Sequence, residues 1–418
     1  MEHSPFYEAV RDRLIRYARI DTQSDPRSTA VPTTRRQFDL ARVLFDELHA
    51  IGASDIYLDE TACVVYAKLP STLPAGGGRP VGFVTHIDTA PDAPGANVKP
   101  WVLCDYDGSD IVLNAEQQIV MRPQDLPNLL QYIGQDLILT DGTTLLGGDD
   151  KASIAAVMTM AEHLLSHPEL PHGPIALAFT PDEEVGGLAR DLDLNRFGSD
   201  VAYTLDGDHL GWYEDETFHA SSATLLVRGR SVHTGTAKGI MINAADIASA
   251  FLSMLPETEK PQYTEGREGF FHVISVQATC EHAEVRLIVR DHDRTKFEQR
   301  KALLRENAEK LRAAFGEDTV TLTIEQTYRN MKEVIDRYPF LIDYLQRAIR
   351  LAGLEPKCEP FRGGTDGSAL SHRGLPCPNL SAGYENAHGR FEYVPIRSME
   401  KNVEILLHLC ALFAGTEC

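Results

Sequence analysis

Ile175-Ala-Leu-Ala-Phe-Thr-Pro-Asp-Glu-Glu-Val-Gly-Gly187 runs from an uninterrupted apolar segment into two adjacent glutamates. The apolar half reads as a buried strand whose end delivers carboxylates to one place. Neighbouring residues of extended chain point to opposite sides. Glu183 and Glu184 are therefore expected to do different jobs, such as one holding a metal ion and the other moving a proton. A polar loop after a strand is the plainer alternative, and partners elsewhere in the chain decide between the two.

Two further apolar runs end the same way. Val81-Gly-Phe-Val-Thr-His-Ile-Asp-Thr89 begins as the continuous apolar stretch that a parallel sheet covered on both faces requires. His86 and Asp88, two residues apart, share a face, and the carboxylate can hold the second ring nitrogen of a metal-binding histidine. Val201-Ala-Tyr-Thr-Leu-Asp206 is again apolar and again ends in a carboxylate. Between these runs, Leu145-Leu-Gly-Gly-Asp-Asp-Lys-Ala-Ser153 opens a helix whose apolar face carries Ile154, Val157 and Ala161. Its acids are either partners of the helix dipole or, since glycine permits close backbone approach, ligands. Three buried strands ending in His, Asp or Glu place a site beyond the carboxyl edge of an open α/β sheet.

The remaining chain frames that sheet. Ser4-Pro5 reads as the start of a helix carrying Phe6, Val10, Leu14 and Tyr17. A second helix from about Thr34 stops at Gly52. Strand-like runs 55–59 and 62–69 precede a glycine-rich tip, Leu73-Pro-Ala-Gly-Gly-Gly78. Residues 90–140, interrupted by proline, read as an elaborate connection near the site. From about residue 217 the order becomes β-α-β-β-α-β, that of a ferredoxin-like unit. The expected architecture is thus a catalytic α/β domain of residues 1–216 and 329–418, with a central, mostly parallel sheet flanked by helices, interrupted by a domain of residues 217–328. Arg362-Gly-Gly-Thr-Asp-Gly367 reads as a tight polar turn, and Asn386-Ala-His-Gly-Arg390 lies between the last strand and the closing helix.

Composition bounds the function. A chain of 418 residues exceeds one ordinary core and points to two domains. Hydrophobic residues make up 43% and charged residues 24%, as in soluble globular proteins. Sixty-one acidic against 40 basic residues, a net charge of −21, argue against nucleic acid or anionic membrane as partner. Seven scattered cysteines without a CxxC pair give neither a disulfide framework nor a structural zinc finger. The start, Met-Glu-His-Ser-Pro-Phe, has no leader character, and no apolar run approaches about 18 residues, so a cytoplasmic protein is expected.

His86, Asp88, Asp149, Glu183, Glu184, Asp206 and His388 together offer nitrogen and oxygen donors without thiolate, a set suited to catalytic zinc, cobalt or manganese. The order His-x-Asp, Gly-Gly-Asp-Asp-Lys, Asp-Glu-Glu, Asp and late His resembles the di-zinc aminoacylase and carboxypeptidase clan, and within it the peptidase T family of cytosolic tripeptide aminopeptidases. The likeness covers nearly the whole chain. It includes Ser231-Val-His-Thr-Gly-Thr-Ala-Lys-Gly239, Ile288-Val-Arg-Asp291, Arg362-Gly-Gly-Thr-Asp-Gly367 and Leu375-Pro-Cys-Pro-Asn379. The departures are Gly148, where alanine is expected, and the Asn-Ala-His-Gly setting of His388.

The resemblance implies two Zn2+ per subunit, with Co2+ or Mn2+ as substitutes. Asp149 would bridge them, His86 and Asp206 would complete one, and Glu184 and His388 the other. Three carboxylates against four positive charges leave such a pair net positive, which lowers the pKa of a bridging water from about 16 toward 7. Glu183 would then serve as general base for attack of the hydroxide on a peptide carbonyl. Asp88 would orient His86. By the same resemblance the inserted domain is a lid and the seat of a homodimer. His233 would stabilise the oxyanion from the partner subunit, Arg290 and Arg362 would hold the substrate's carboxylate, and Asn243 is either a helix cap or a substrate contact. Short peptides are the expected substrates. A dipeptidase or N-acyl amino acid deacylase of the same clan is the alternative enzyme, and a non-catalytic peptide or metal binder the alternative from another class.

Overall fold

A computed structural model describes residues 4–74 and 77–415. Met1, Glu2 and His3, Ala75 and Gly76 of the glycine-rich tip, and Cys418 lie outside the described residues. The chain divides into two units, one of residues 1–215, 333–359 and 365–418, the other of residues 216–332 and 360–364.

The first unit is built on a mixed sheet. Its strands run in the order Ser54–Asp59, Val64–Leu69, Ile175–Thr180, Val81–His86, Ala202–Leu205, Asn379–Leu380, Trp212–Glu214, Lys357–Cys358. Pairing is parallel from Ile175–Thr180 through Asn379–Leu380, and antiparallel where Val64–Leu69 and Trp212–Glu214 join. Every residue of Val81–His86 and Ile175–Thr180 is buried, which is why both read as unbroken apolar runs. Gly82 is required in the middle of this sheet: a β-carbon there would lie 2.3 Å from the Phe197 ring.

Register decides what meets at the sheet's edge. His86 pairs with Thr180, and Gly82 and Val84 pair with Ala202 and Thr204. All three strands therefore end level, with His86, the Asp182–Glu184 turn and Asp206 side by side.

The helices Tyr7–Ala18, Gly148–Ser166 and Ile396–Ala414 pack against one another over the sheet. Val10, Leu14, Ile154, Val157, Phe83, Leu177 and Leu406 share one core. The first helix starts at Tyr7, later than Ser4-Pro5 led us to expect; the Ser4 hydroxyl accepts the Phe6 N–H at 3.2 Å but caps no helical turn. The second runs Gln37–Ile51 and ends on Gly52 in the left-handed conformation, φ 86°. Asp366 opens a short helix, Asp366–His372, where a turn alone was expected.

The proline-rich connection is a small structure of its own. Trp101–Leu103 and Leu137–Leu139 form a three-stranded sheet with Val394–Pro395, beside the hairpin Ile111–Asn114/Ile119–Met121. Tyr106, Met121, Leu129 and Tyr393 pack beneath them.

The second unit has the order His219–Arg228, Ala244–Ser253, Phe270–Ala278, His282–Asp291, Arg294–Phe315, Val320–Tyr328. These are the elements β-α-β-β-α-β in a fully antiparallel sheet, with both helices over a core of Leu225, Ile247, Phe251, Val285, Leu287 and Leu304. Pro360–Gly364 belongs to this unit, although the sequence reading assigned it to the first. The physical reason is Arg362, which donates to the carbonyls of Gly266 and Glu268 at 2.7 and 3.0 Å and to the Thr264 hydroxyl at 2.9 Å.

Candidate metal centre

Asp149 stands at the middle of the site. Its Oδ1 lies 3.0 Å from His86 Nε2 and its Oδ2 3.2 Å from His388 Nε2. His388 Nε2 also lies 2.9 Å from Glu184 Oε2. One carboxylate thus faces two histidines, one per oxygen, and the second histidine faces a second carboxylate. Asp206 and Glu183 complete the ring: donor atoms of His86, Glu183 and Asp206 lie within 4.8 Å of one another, as do those of His86, Asp149 and Glu184.

Asp88 holds more than was expected of it. His86 Nδ1 lies 3.1 Å from the Asp88 carbonyl and 3.4 Å from its carboxylate. The Asp88 carboxylate also accepts the N–H groups of Glu183 and Glu184, at 2.9 and 3.2 Å. A single buried acid therefore orients both the histidine and the Glu-Glu turn, which is a short 3-10 segment opened by Asp182 at φ 63°.

The electrostatics call for cations. Asp88, Asp149, Asp150, Glu183, Glu184, Asp206 and Asp366 crowd around two histidines, and buried carboxylates without counter-charge are costly. Burial works to raise the Asp149 pKa, yet hydrogen bonds from His388 and His86 overcome it and hold the group below the usual carboxylate range. Burial, then the charge of Asp206, pushes Glu183 well upward. Burial and the charge of Asp149 raise Glu184 to about 8. Burial opposes a charge on His86, but its bonds to Asp149 and Asp88 lift it well above its ordinary value. The bonds to Asp149 and Glu184 raise His388 to about 11. Among the described residues Glu184 Oε1 is buried without a hydrogen-bond partner, and the donors are all nitrogen and oxygen, so the site fits divalent cations of the zinc type.

The remaining expected residues lie in the second unit. His233 is exposed and its Nδ1 accepts the Gly235 N–H at 3.1 Å. Arg290 lies 5.0 Å from the Tyr328 ring centroid and donates to the Val289 carbonyl at 3.3 Å. Asn243 caps the helix Ala244–Ser253 through the Ala245 N–H at 3.1 Å, which is the cap reading of the two entertained.

Three residues escaped the sequence reading. Tyr384 donates its hydroxyl to Asp206 Oδ1 at 2.7 Å, and Asp366 accepts from the Thr180 hydroxyl at 2.7 Å. Glu392 accepts three backbone N–H groups around Asp149. Only Asp366 stood in a quoted motif; the other two carry no local signal.

Residues 216–319 match the peptidase dimerisation domain. Over 406 residues the chain is 48% identical to Peptidase T of Clostridium botulinum, covering 97% of this chain and 99% of that one. The chain belongs to the peptidase T family. With that family it is a hydrolytic metallopeptidase of the M20 class. Its fold is that of aminopeptidase PepT from Bacillus cereus, at TM-score 0.77 and 22% identity over 98% of this chain and 99% of that one. A dinuclear metal-binding peptidase of the M20 family from Bacillus subtilis shares the fold at TM-score 0.66 and 13% identity, covering 98% and 100% of the two chains. The Gly148 departure also acquires a cause: a β-carbon there would lie 2.5 Å from Val394 Cγ2.

Proposed function

We infer that the chain is a tripeptide aminopeptidase that removes the N-terminal residue of short peptides, working with two metal ions at the edge of the sheet. The observation that carries the metal reading is Asp149 between His86 and His388, with Glu184 against the latter. Membership of the peptidase T family supplies the peptide. His86 and Asp206 would hold one ion and Glu184 and His388 the other, with Asp149 shared. Zinc, or cobalt or manganese in its place, supplies Lewis acidity when bound and lowers the pKa of water from about 16 toward 7.

The chain's own groups do the rest. Glu183 takes the proton of the attacking water and returns it to the leaving amine. Asp88 keeps His86 and the backbone of Glu183 in place. Of the two arginines, Arg290 is the better candidate for the substrate's carboxylate, because Arg362 already turns both terminal nitrogens onto residues 264–268. The dimerisation domain supports a homodimer, in which His233 would serve the partner's site.

Glu183→Ala is expected to lower kcat by at least about 100-fold while two metals stay bound. Turnover at the wild-type rate would overturn the assignment. A free tripeptide should be cleaved and its N-acetylated form left intact; the reverse preference would mark a deacylase.

A further inference from the structure

We propose that Glu392 is a positioning residue for Asp149, and that the loop carrying it locks Asp149 and His388 into one unit. The proposal rests on the metal reading above. Glu392 is 2% exposed, and both of its oxygens are used on the backbone of the glycine turn. One accepts the N–H groups of Leu146 and Gly147, each at 2.8 Å; the other accepts the N–H of Asp149 itself at 3.0 Å. Three N–H bonds to one carboxylate fix the backbone from which the Asp149 side chain projects. The fit is close: a β-carbon on Gly148 would lie 3.1 Å from Glu392 Oε1.

Glu392 stands four residues after His388. The two share a loop closed by reciprocal backbone bonds between Glu385 and Tyr393, at 2.9 and 3.0 Å. His388 at φ 63° and Asn386 at φ 56° make the bend. The near stem is held in turn by Glu385, whose carboxylate accepts from Asn128 at 2.7 Å, from His209 at 2.9 Å and from the Tyr132 hydroxyl. One end of the loop therefore grips the backbone of Asp149 while its bend presents an imidazole to the same residue's carboxylate. Displacing Glu392 moves both donors together.

Glutamine at this position keeps one oxygen for Leu146 and Gly147 but sets an amide NH2 against the N–H of Asp149, or the reverse. The full-length protein, stripped by chelation, is titrated with Zn2+ against a competing chromogenic chelator, and the visible spectrum of the Co2+ form is recorded. Glu392→Gln is expected to bind metal at least about tenfold more weakly and to shift the Co2+ spectrum, while far-UV circular dichroism shows it folded. Should it not fold, Glu392→Asp, which retains the charge but withdraws it from the turn, is titrated the same way with the same expectation. A folded variant that melts earlier yet binds both ions with wild-type affinity and spectrum would reduce Glu392 to a structural role and overturn the proposal. Asp149→Ala and His388→Ala serve as references. Loss of metal there beside normal binding in the Glu392 variants overturns the positioning role alone; normal binding in all of them removes the metal centre, and the proposal with it.

Discussion

His388 shows how the site trades protons for metal. Its bonds to Asp149 and Glu184 raise it to about 11, so the imidazole is charged at neutral pH until a cation displaces its proton. Glu184, raised to about 8 by burial and the charge of Asp149, also has a proton to lose. Metal binding at pH 7 should therefore release protons, and apparent affinity should rise by about tenfold per pH unit for each proton displaced. Calorimetry in buffers of different ionisation enthalpy measures the release directly, and none at pH 7 would contradict the arrangement. The metal-free protein follows the opposite course. A histidine whose folded pKa is raised stabilises fully below its unfolded value and loses that contribution as pH climbs through the folded one. His388 thus holds the stripped enzyme together through neutrality and ceases to do so toward about 11. The melting temperature of the apo form should fall on that alkaline side.

At the scale of elements, the Glu183-Glu184 turn is held from both sides. Asp88 takes its N–H groups from the neighbouring strand end. Asp182, just before it, is clasped by the segment leading into the Gln37–Ile51 helix. The Asp182 carboxylate accepts the Thr33 N–H at 2.8 Å, the Thr33 hydroxyl at 2.5 Å and the Gln37 amide at 2.6 Å. Asp182→Ala would leave the fully buried Gln37 amide without that acceptor, at a cost of about 1–3 kcal/mol. The denaturation midpoint of the apo protein should drop accordingly, and kcat with it, because Glu183 follows directly. An unchanged midpoint would show the clasp to be idle. This paired support explains what was legible beforehand. Val81–His86, Ile175–Thr180 and Ala202–Leu205 are apolar on both faces, so their ends, and with them His86, Glu183, Glu184 and Asp206, stand out in the sequence. Strands of two or three residues, such as Asn379–Leu380, leave no periodicity to read. Tyr384 and Glu392 act on partners some 178 and 243 residues distant, a relation that only the folded chain creates.

For the whole molecule, the question is whether one chain suffices. Residues 216–319 match a dimerisation domain, and sedimentation should give twice the 46.3 kDa of the chain. The proposed part of His233 makes a sharper test possible. It is exposed on the second unit, and its Nδ1 accepts the Gly235 N–H, which leaves Nε2 for a substrate. If it serves the partner's site, neither a Glu183→Ala homodimer nor a His233→Ala homodimer is active. Once exchanged, each heterodimer holds one site with an intact Glu183 and an intact His233 supplied across the interface. Random exchange makes half of the dimers heterodimers, each with one working site of two, so the mixture should recover about a quarter of wild-type activity. If His233 instead acts within its own chain, every site in the mixture lacks one of the two residues, and mixing restores nothing.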